Sequence, residues 1–431
     1  MAQLLNERKT SKSSSRKKRG GQLKKDRKKS QQPSNQESLT EDNILSILTS
    51  KMTRYQESSK KVRDISDRLV PTFKEIDWKR RLACKYDFKL FCKTYHPEVF
   101  YFPWGDDHHI AADRLETVVL QGGLFALAMP RGSGKTALGQ TAVEWSACYG
   151  HRKFVYLLGD EQGSSNDSLK SIKTDLYSNP LLIKDFPEIC GPVNLGGNDT
   201  RSMRSQVFNL IDMNNVWSTE EIMLPALFLL KSQVKSFPKE ELCETTREGF
   251  LSLKNSGSIV RSKGISGGIR GAAFKHPVTG RLTRPDLFLA DDIQSDRTAE
   301  SPAACHKMVT NMEGAVKGLS GPGELISGIL LCTVRRDGDV SDTFLDNKRK
   351  PEWKGQRCSM VLQWPEGITD EEINDLTSEA RHWTKYATIR KQSLQEFGDI
   401  RLATGYYLSL IHISEPTRPE RIGFGGVGVK K

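Results

Sequence analysis

Leu124-Phe125-Ala126-Leu127-Ala128-Met129-Pro130-Arg131-Gly132-Ser133-Gly134-Lys135-Thr136 is the stretch on which the reading of this chain turns. Its six leading apolar residues predict a buried strand. The residues from Thr136 to Cys148 predict a helix, stopped by Gly150. Between the two, Gly132 and Gly134 let the backbone curl so that successive N–H groups face one point, and the helix start adds its dipole. Such a turn cradles phosphate. Pro130, Arg131, Gly132, Ser133, Gly134, Lys135 and Thr136 are the expected nucleotide-binding residues, with Lys135 reaching the β- and γ-phosphates of ATP and the Thr136 hydroxyl on Mg²⁺. The strict pattern G-x-x-x-x-G-K-[ST] asks for glycine at 129, where this chain has Met129. The competing reading is a glycine turn that binds nothing.

Outward from that loop, Phe154–Leu158 predicts a second buried strand and Ser168–Tyr177 a second helix, ending before Pro180. Further strands are expected at Leu287–Ala290 and Leu325–Cys332. Strand and helix in alternation predict an α/β domain of P-loop NTPase type, with a central, mostly parallel sheet flanked by helices. Pro192–Glu248 is less regular and is expected to hold β-hairpins or an insertion.

A phosphate loop needs an acid on a neighbouring strand. Pro285-Asp286-Leu287-Phe288-Leu289-Ala290-Asp291-Asp292 supplies two at a strand end. Asp291 is the expected Mg²⁺ ligand, through water, and Asp292 the residue that orients and polarises the attacking water. The bland alternative is a pair of acids that simply ends a strand. The strand expected at Leu325–Cys332 runs out into Cys332-Thr333-Val334-Arg335-Arg336-Asp337. A hydroxyl there could sense hydrolysis and the arginines could pair with phosphate or a partner's charge, or the segment is a core strand with a solvated turn. Gly264–Gly271 is glycine-dense: a tight turn, or a loop that presents Arg270 to phosphate.

The chain has 431 residues, 36% of them hydrophobic, enough for a sizeable core. No apolar run approaches the ~20 residues of a membrane span, so a membrane protein is excluded. Met1–Asp26 lacks the apolar core of a secretory signal. Eight cysteines with no C-x-x-C pair argue against a disulfide framework or zinc site. The net charge of +12 is concentrated: Met1–Ser30 holds twelve Lys/Arg against Glu7 and Asp26, and Gln31–Tyr407 is neutral. Residues 1–41 are therefore expected to form a disordered basic arm, read either as a phosphate-seeking segment or as a solubility tail. Residues 42–98 predict a helical segment, with Asp42 or Thr40 capping a helix through Ile44, Leu45, Ile47, Leu48 and Met52, and a second helical pattern over Ile76–Tyr95.

Taken in order, P-R-G-S-G-K-T, V-Y-L-L-G-D-E, I-R-G, R-P-D-L-F-L-A-D-D-I and L-C-T-V-R-R-D-G-D resemble the large terminase subunit of tailed bacteriophages, from about Phe88 to Trp364. The resemblance implies a motor ATPase that drives double-stranded viral DNA through a portal protein into an empty capsid. A small terminase subunit and a homo-oligomeric ring would accompany it, in the host cytoplasm and with no membrane. It implies that Arg131 contacts the γ-phosphate and that Thr333 occupies the coupling position, so that Asp292, Arg131 and Thr333 are the expected catalytic residues. His108 or His109 falls near the family's adenine-binding segment, but surface or core histidines are the better reading. The ATPase domain is expected over 99–366.

The family also carries a nuclease with clustered acids, and here the chain departs from the pattern. Residues 367–407 predict helices, a linker at the start of a missing nuclease domain, with no strand bearing an interior Asp. Residues 408–431 resemble a translated sequencing-library adapter, so His412 and Glu415 are not read as a site. Two other classes stay open: a P-loop helicase or DNA-repair ATPase, and a nucleotide-binding assembly protein that does not hydrolyse.

Overall fold

The computed structural model describes residues 63–130, 132–247, 250–265, 272–276, 280–319 and 326–358, together with Ser46. Outside the described residues lie the basic arm, the helix expected around Ile44–Met52 apart from Ser46, Arg131, the 266–271 loop with Arg270, and residues 359–431.

The helices used below are α1 Trp78–Ala83, α2 Phe88–Tyr95, α3 Asp106–Leu120, α4 Lys135–Tyr149, α5 Gln162–Ser178, α6 Pro302–Leu319 and α7 Val340–Leu345. The central sheet takes β1 Leu124–Ala128, β2 Phe154–Gly159, β3 Val216–Trp217, β4 Glu221–Met223, β5 Ile259–Gly264, β6 Leu287–Asp291, β7 Ser327–Cys332 and β8 Gln356–Arg357. Across the sheet they run β8-β1-β7-β6-β2-β5-β4-β3. The six strands from β8 to β5 are mutually parallel. The short β4 and β3 close that edge antiparallel. The described part is thus α/β with a mostly parallel central sheet flanked by helices.

The near-continuous apolar strands follow from helices on both faces. Leu127, Val155, Leu157, Leu289 and Leu331 enter one core with residues of α3, α4 and α5. Their alternating neighbours Ala126, Tyr156, Leu158, Phe288 and Leu330 enter a second core with Met312 of α6, Phe344 of α7 and Trp353. No described helix is long and apolar enough to cross a membrane.

Register decides where the strand ends fall. Asp291 of β6 lies opposite Leu331 of β7, and Cys332 opposite Ala128 of β1. The residues after β1, β6 and β7 therefore emerge side by side on the carboxyl edge, where open parallel sheets bind ligands. β7 sits between the strand of the glycine loop and the strand that ends on acids. Helix α4 is drawn close to this trio at Gly139, where a Cβ would sit 2.9 Å from Leu331 and 3.0 Å from Leu289.

The first two helices dock on α4. Asp77 and Asp87 cap α1 and α2 by accepting from the Arg80 and Leu90 N–H groups. The Trp145 indole donates to the Cys84 carbonyl at 3.0 Å, and the Tyr149 hydroxyl to the Arg81 carbonyl at 2.6 Å. The irregular stretch after Pro192 forms short strands, among them Gln206–Phe208, Phe228–Leu229 and Leu242–Arg247, over a separate small core of Phe73, Phe208, Leu227 and Phe237.

Candidate active site

The chain leaves β1 through Met129, whose N–H donates to the Cys332 carbonyl at 3.0 Å. It turns through Gly132 and Gly134, both left-handed at φ of 76° and 79°, and enters α4 at Lys135. No side chain caps α4, whereas Asp77, Asp87 and Asp339 cap their helices. The first N–H groups of α4 and the positive end of its dipole are thus left to an anion.

Lys135 is buried, and its Nζ lies 2.8 Å from Asp292 Oδ2. Asp292 holds a left-handed backbone, φ 40°, while its N–H still donates to the Leu331 carbonyl at 2.9 Å. Non-glycine residues adopt that conformation at a cost, one that Asp and Asn bear best. The kink turns the second carboxylate away from the strand line and onto Lys135.

Asp291 behaves differently. The Thr136 hydroxyl lies near enough to favour its charged form, yet Oδ1 is buried with no hydrogen-bond partner among the described residues. Burial, then the charge of Asp292, pushes its pKa up to about 6 against the opposing pull of Thr136 and Lys135. An orphaned carboxylate oxygen beside a hydroxyl is half of a magnesium site, since Mg²⁺ takes one or two protein oxygens and completes its shell with water and phosphate. The residues present fit that ion. Among the described residues no three His, Cys, Asp or Glu side chains cluster as an all-protein metal site.

Thr333 is buried at the tip beyond β7, its Oγ1 3.5 Å from the Met129 carbonyl, against the root of the glycine loop. The arginines after it are engaged: Arg335 Nη1 lies 2.6 Å from Asp296, and Arg336 Nη1 donates to the Glu300 carbonyl at 3.1 Å. The structure therefore brings together Gly132, Ser133, Gly134, Lys135, Thr136, Asp291, Asp292 and Thr333, with Pro130 at the start of the turn. Arg131 lies outside the described residues.

Two residues beside the site had no firm role in the sequence reading. His108, on the first turn of α3, places Nε2 3.0 Å from the Ser133 carbonyl. Asp160, just past β2, is held above the usual carboxylate range by burial, while the Ser295 hydroxyl and Arg335 pull the other way. The signals for Asp160 were its place at a strand end and in the V-Y-L-L-G-D-E motif.

No protein-family profile and no curated protein matches this chain.

Proposed function

We propose that the chain is a P-loop ATPase that binds Mg-ATP on the carboxyl edge of its sheet and hydrolyses it. The observation that carries this reading is the convergence of four side chains from two separate segments. Lys135 and Thr136 at the start of α4 meet Asp291 and Asp292 at the end of β6. A glycine turn that bound nothing would have no reason to bury a lysine against one carboxylate and leave its neighbour short of a partner.

Thr136 and Asp291 would hold Mg²⁺, which when bound neutralises phosphate charge. The backbone of Gly132–Lys135 receives phosphate oxygens, and the Lys135 ammonium exchanges Asp292 for them. Asp292, released, accepts a proton from the attacking water as its oxygen bonds to the γ-phosphorus. The bond from that phosphorus to the bridging oxygen breaks, and ADP leaves with that electron pair. Catalysis of this kind rests on positioning and charge. Thr333, against the Met129 carbonyl, is the residue through which a change at the loop would reach β7. Arg131 is assigned the γ-phosphate contact.

The hydrolysis is assigned to a DNA-packaging motor of the terminase large-subunit type, acting on double-stranded DNA with a portal protein, a small subunit and further copies of itself in a ring. That finer assignment rests on the spaced sequence motifs. Its test is phosphate release with and without linear double-stranded DNA. Turnover stimulated by DNA supports a motor, turnover indifferent to DNA removes the motor, and no turnover removes the enzyme.

A further inference from the structure

Among its contacts with described residues, His108 makes hydrogen bonds through both ring nitrogens. Its Nδ1 accepts from the Gly105 N–H at 3.2 Å, and its Nε2 lies 3.0 Å from the Ser133 carbonyl oxygen. A neutral imidazole has one donor and one acceptor nitrogen, so acceptance at Nδ1 puts the proton on Nε2. Nε2–H therefore donates to Ser133. The Ser133 hydroxyl itself is buried without a partner among the described residues.

The consequence lies on the other side of the peptide. In a planar trans peptide the C=O and the following N–H point in opposite directions. A carbonyl of Ser133 pinned toward His108 turns the Gly134 N–H the opposite way, away from His108. Glycine at 134 has φ of 79°, a region with little intrinsic preference for one peptide orientation. An outside group is then needed to choose it. The ring is placed by its own element, since Gly105 is the N-cap of α3 and Trp104 lies 6.5 Å away, centroid to centroid.

We propose that His108 is a positioning residue for the nucleotide site: by holding the Ser133 carbonyl it pre-sets the Gly134 N–H as a phosphate donor. The inference rests on the Mg-ATP reading and adds to it a residue from outside the loop. A loop without the clamp must select that peptide orientation on binding, which weakens affinity and leaves the chemical step largely alone.

The test is equilibrium titration with a fluorescent ATP analogue in Mg²⁺, together with kcat and KM, on the full chain and four variants. Glutamine can present an amide donor where Nε2 stands, whereas asparagine can reach only the Gly105 side. His108→Ala and His108→Asn should each raise Kd and KM about tenfold, the size of one lost orienting hydrogen bond, with kcat within about twofold of wild type. His108→Gln should restore Kd to within about threefold. Melting temperatures identify any variant that fails to fold, and the Gln–Asn comparison decides the matter if His108→Ala is one of these. Wild-type affinity in His108→Asn, or equal losses in Asn and Gln, overturns the clamp. Lys135→Ala separates the two claims: if it binds as tightly as wild type, the nucleotide reading itself fails, and the clamp with it.

Discussion

Two regions of this molecule bury charge, and they do it in opposite ways. Behind α4, Arg81 is fully buried, with Nη2 2.8 Å from both Glu188 and Glu241, and Lys85 Nζ is 2.6 Å from Glu241. Two cations face two anions. Burial alone would raise the Glu241 pKa, yet Arg81 and Lys85 together hold it below the usual value. At the carboxyl edge of the sheet one cation, Lys135, faces two carboxylates, and the pKa of Asp291 is pushed up instead. The first cluster is neutral and joins α1 to the segments around 188 and 241, although Arg81 Nε and Glu188 Oε2 are buried without a hydrogen-bond partner among the described residues. Among the described residues the second is one positive charge short, with the Thr136 hydroxyl beside it. Balance marks the structural cluster, and the deficit marks where a cation belongs.

The largest expected effect falls on the neutral cluster. Arg81→Ala leaves Glu188 buried without its ion-pair partner and Glu241 with Lys85 alone, and should cost about 3–5 kcal/mol of stability, read by denaturant or thermal unfolding. Whatever remains folded should keep its affinity for Mg-ATP. A mild loss there, comparable with a surface substitution, would erase the contrast between the regions.

Asp291→Asn should act with the opposite sign. The native state holds a proton on Asp291 up to about pH 6, whereas the unfolded chain releases it near 3.9. Stability contributed by this group is thus present at low pH and lost as pH rises through the folded value. At pH 7.5 the uncharged side chain should stabilise by on the order of 2 kcal/mol, and the gain should shrink toward zero between pH 6 and 4. The same variant should lose turnover. A destabilised Asp291→Asn at pH 7.5 would mean that the carboxylate is already compensated.

Gly139→Ala touches neither set of charges but places a methyl against Leu331 and Leu289. Overpacking of about 1–3 kcal/mol, less the ~1 kcal/mol helix preference of alanine, leaves a net loss of about 1 kcal/mol. Because both displaced leucines lie on the strands that end at the site, KM for ATP should rise while the Arg81 cluster is untouched. Smallest of all, deletion of Met1–Ser30 removes +10 of charge and should leave melting temperature and ATP affinity unchanged. It should flatten the salt dependence of DNA binding, and an unaltered slope would make the arm a solubility tail.

What could be read in advance divides along the same line. The sheet strands with unbroken apolar runs, β1, β2, β6 and β7, were legible within a residue or two, because burial on both faces writes itself into composition. α4 was legible for its glycine boundaries. β5 was not: Ser258-Ile259-Val260-Arg261-Ser262-Lys263-Gly264 reads as polar, and only its pairing with β2 and the ion pair of Arg261 with Glu221 make a strand of it. α5 begins at Gln162, ahead of the expected Ser168. Gly163-Ser164-Ser165-Asn166-Asp167 favours helix poorly, and contacts such as Ser262 Oγ with Asn166 tie that turn to β5. At the site, Lys135, Thr136, Asp291 and Asp292 were legible because a loop and a strand end announce themselves locally. His108 is 25 residues from Ser133, and that contact exists only once α3 has packed.

The central claim is that the charge deficit at Asp291 is a magnesium site serving ATP. Calorimetric titration of ATP into the full chain, in Mg²⁺ and again in EDTA, tests it most directly when repeated on Asp291→Asn. Wild-type binding should weaken from Mg²⁺ to EDTA, and Asp291→Asn should show no such difference between the two conditions. Equal affinity in Mg²⁺ and EDTA for the wild type, or a magnesium dependence that survives in Asp291→Asn, would contradict it.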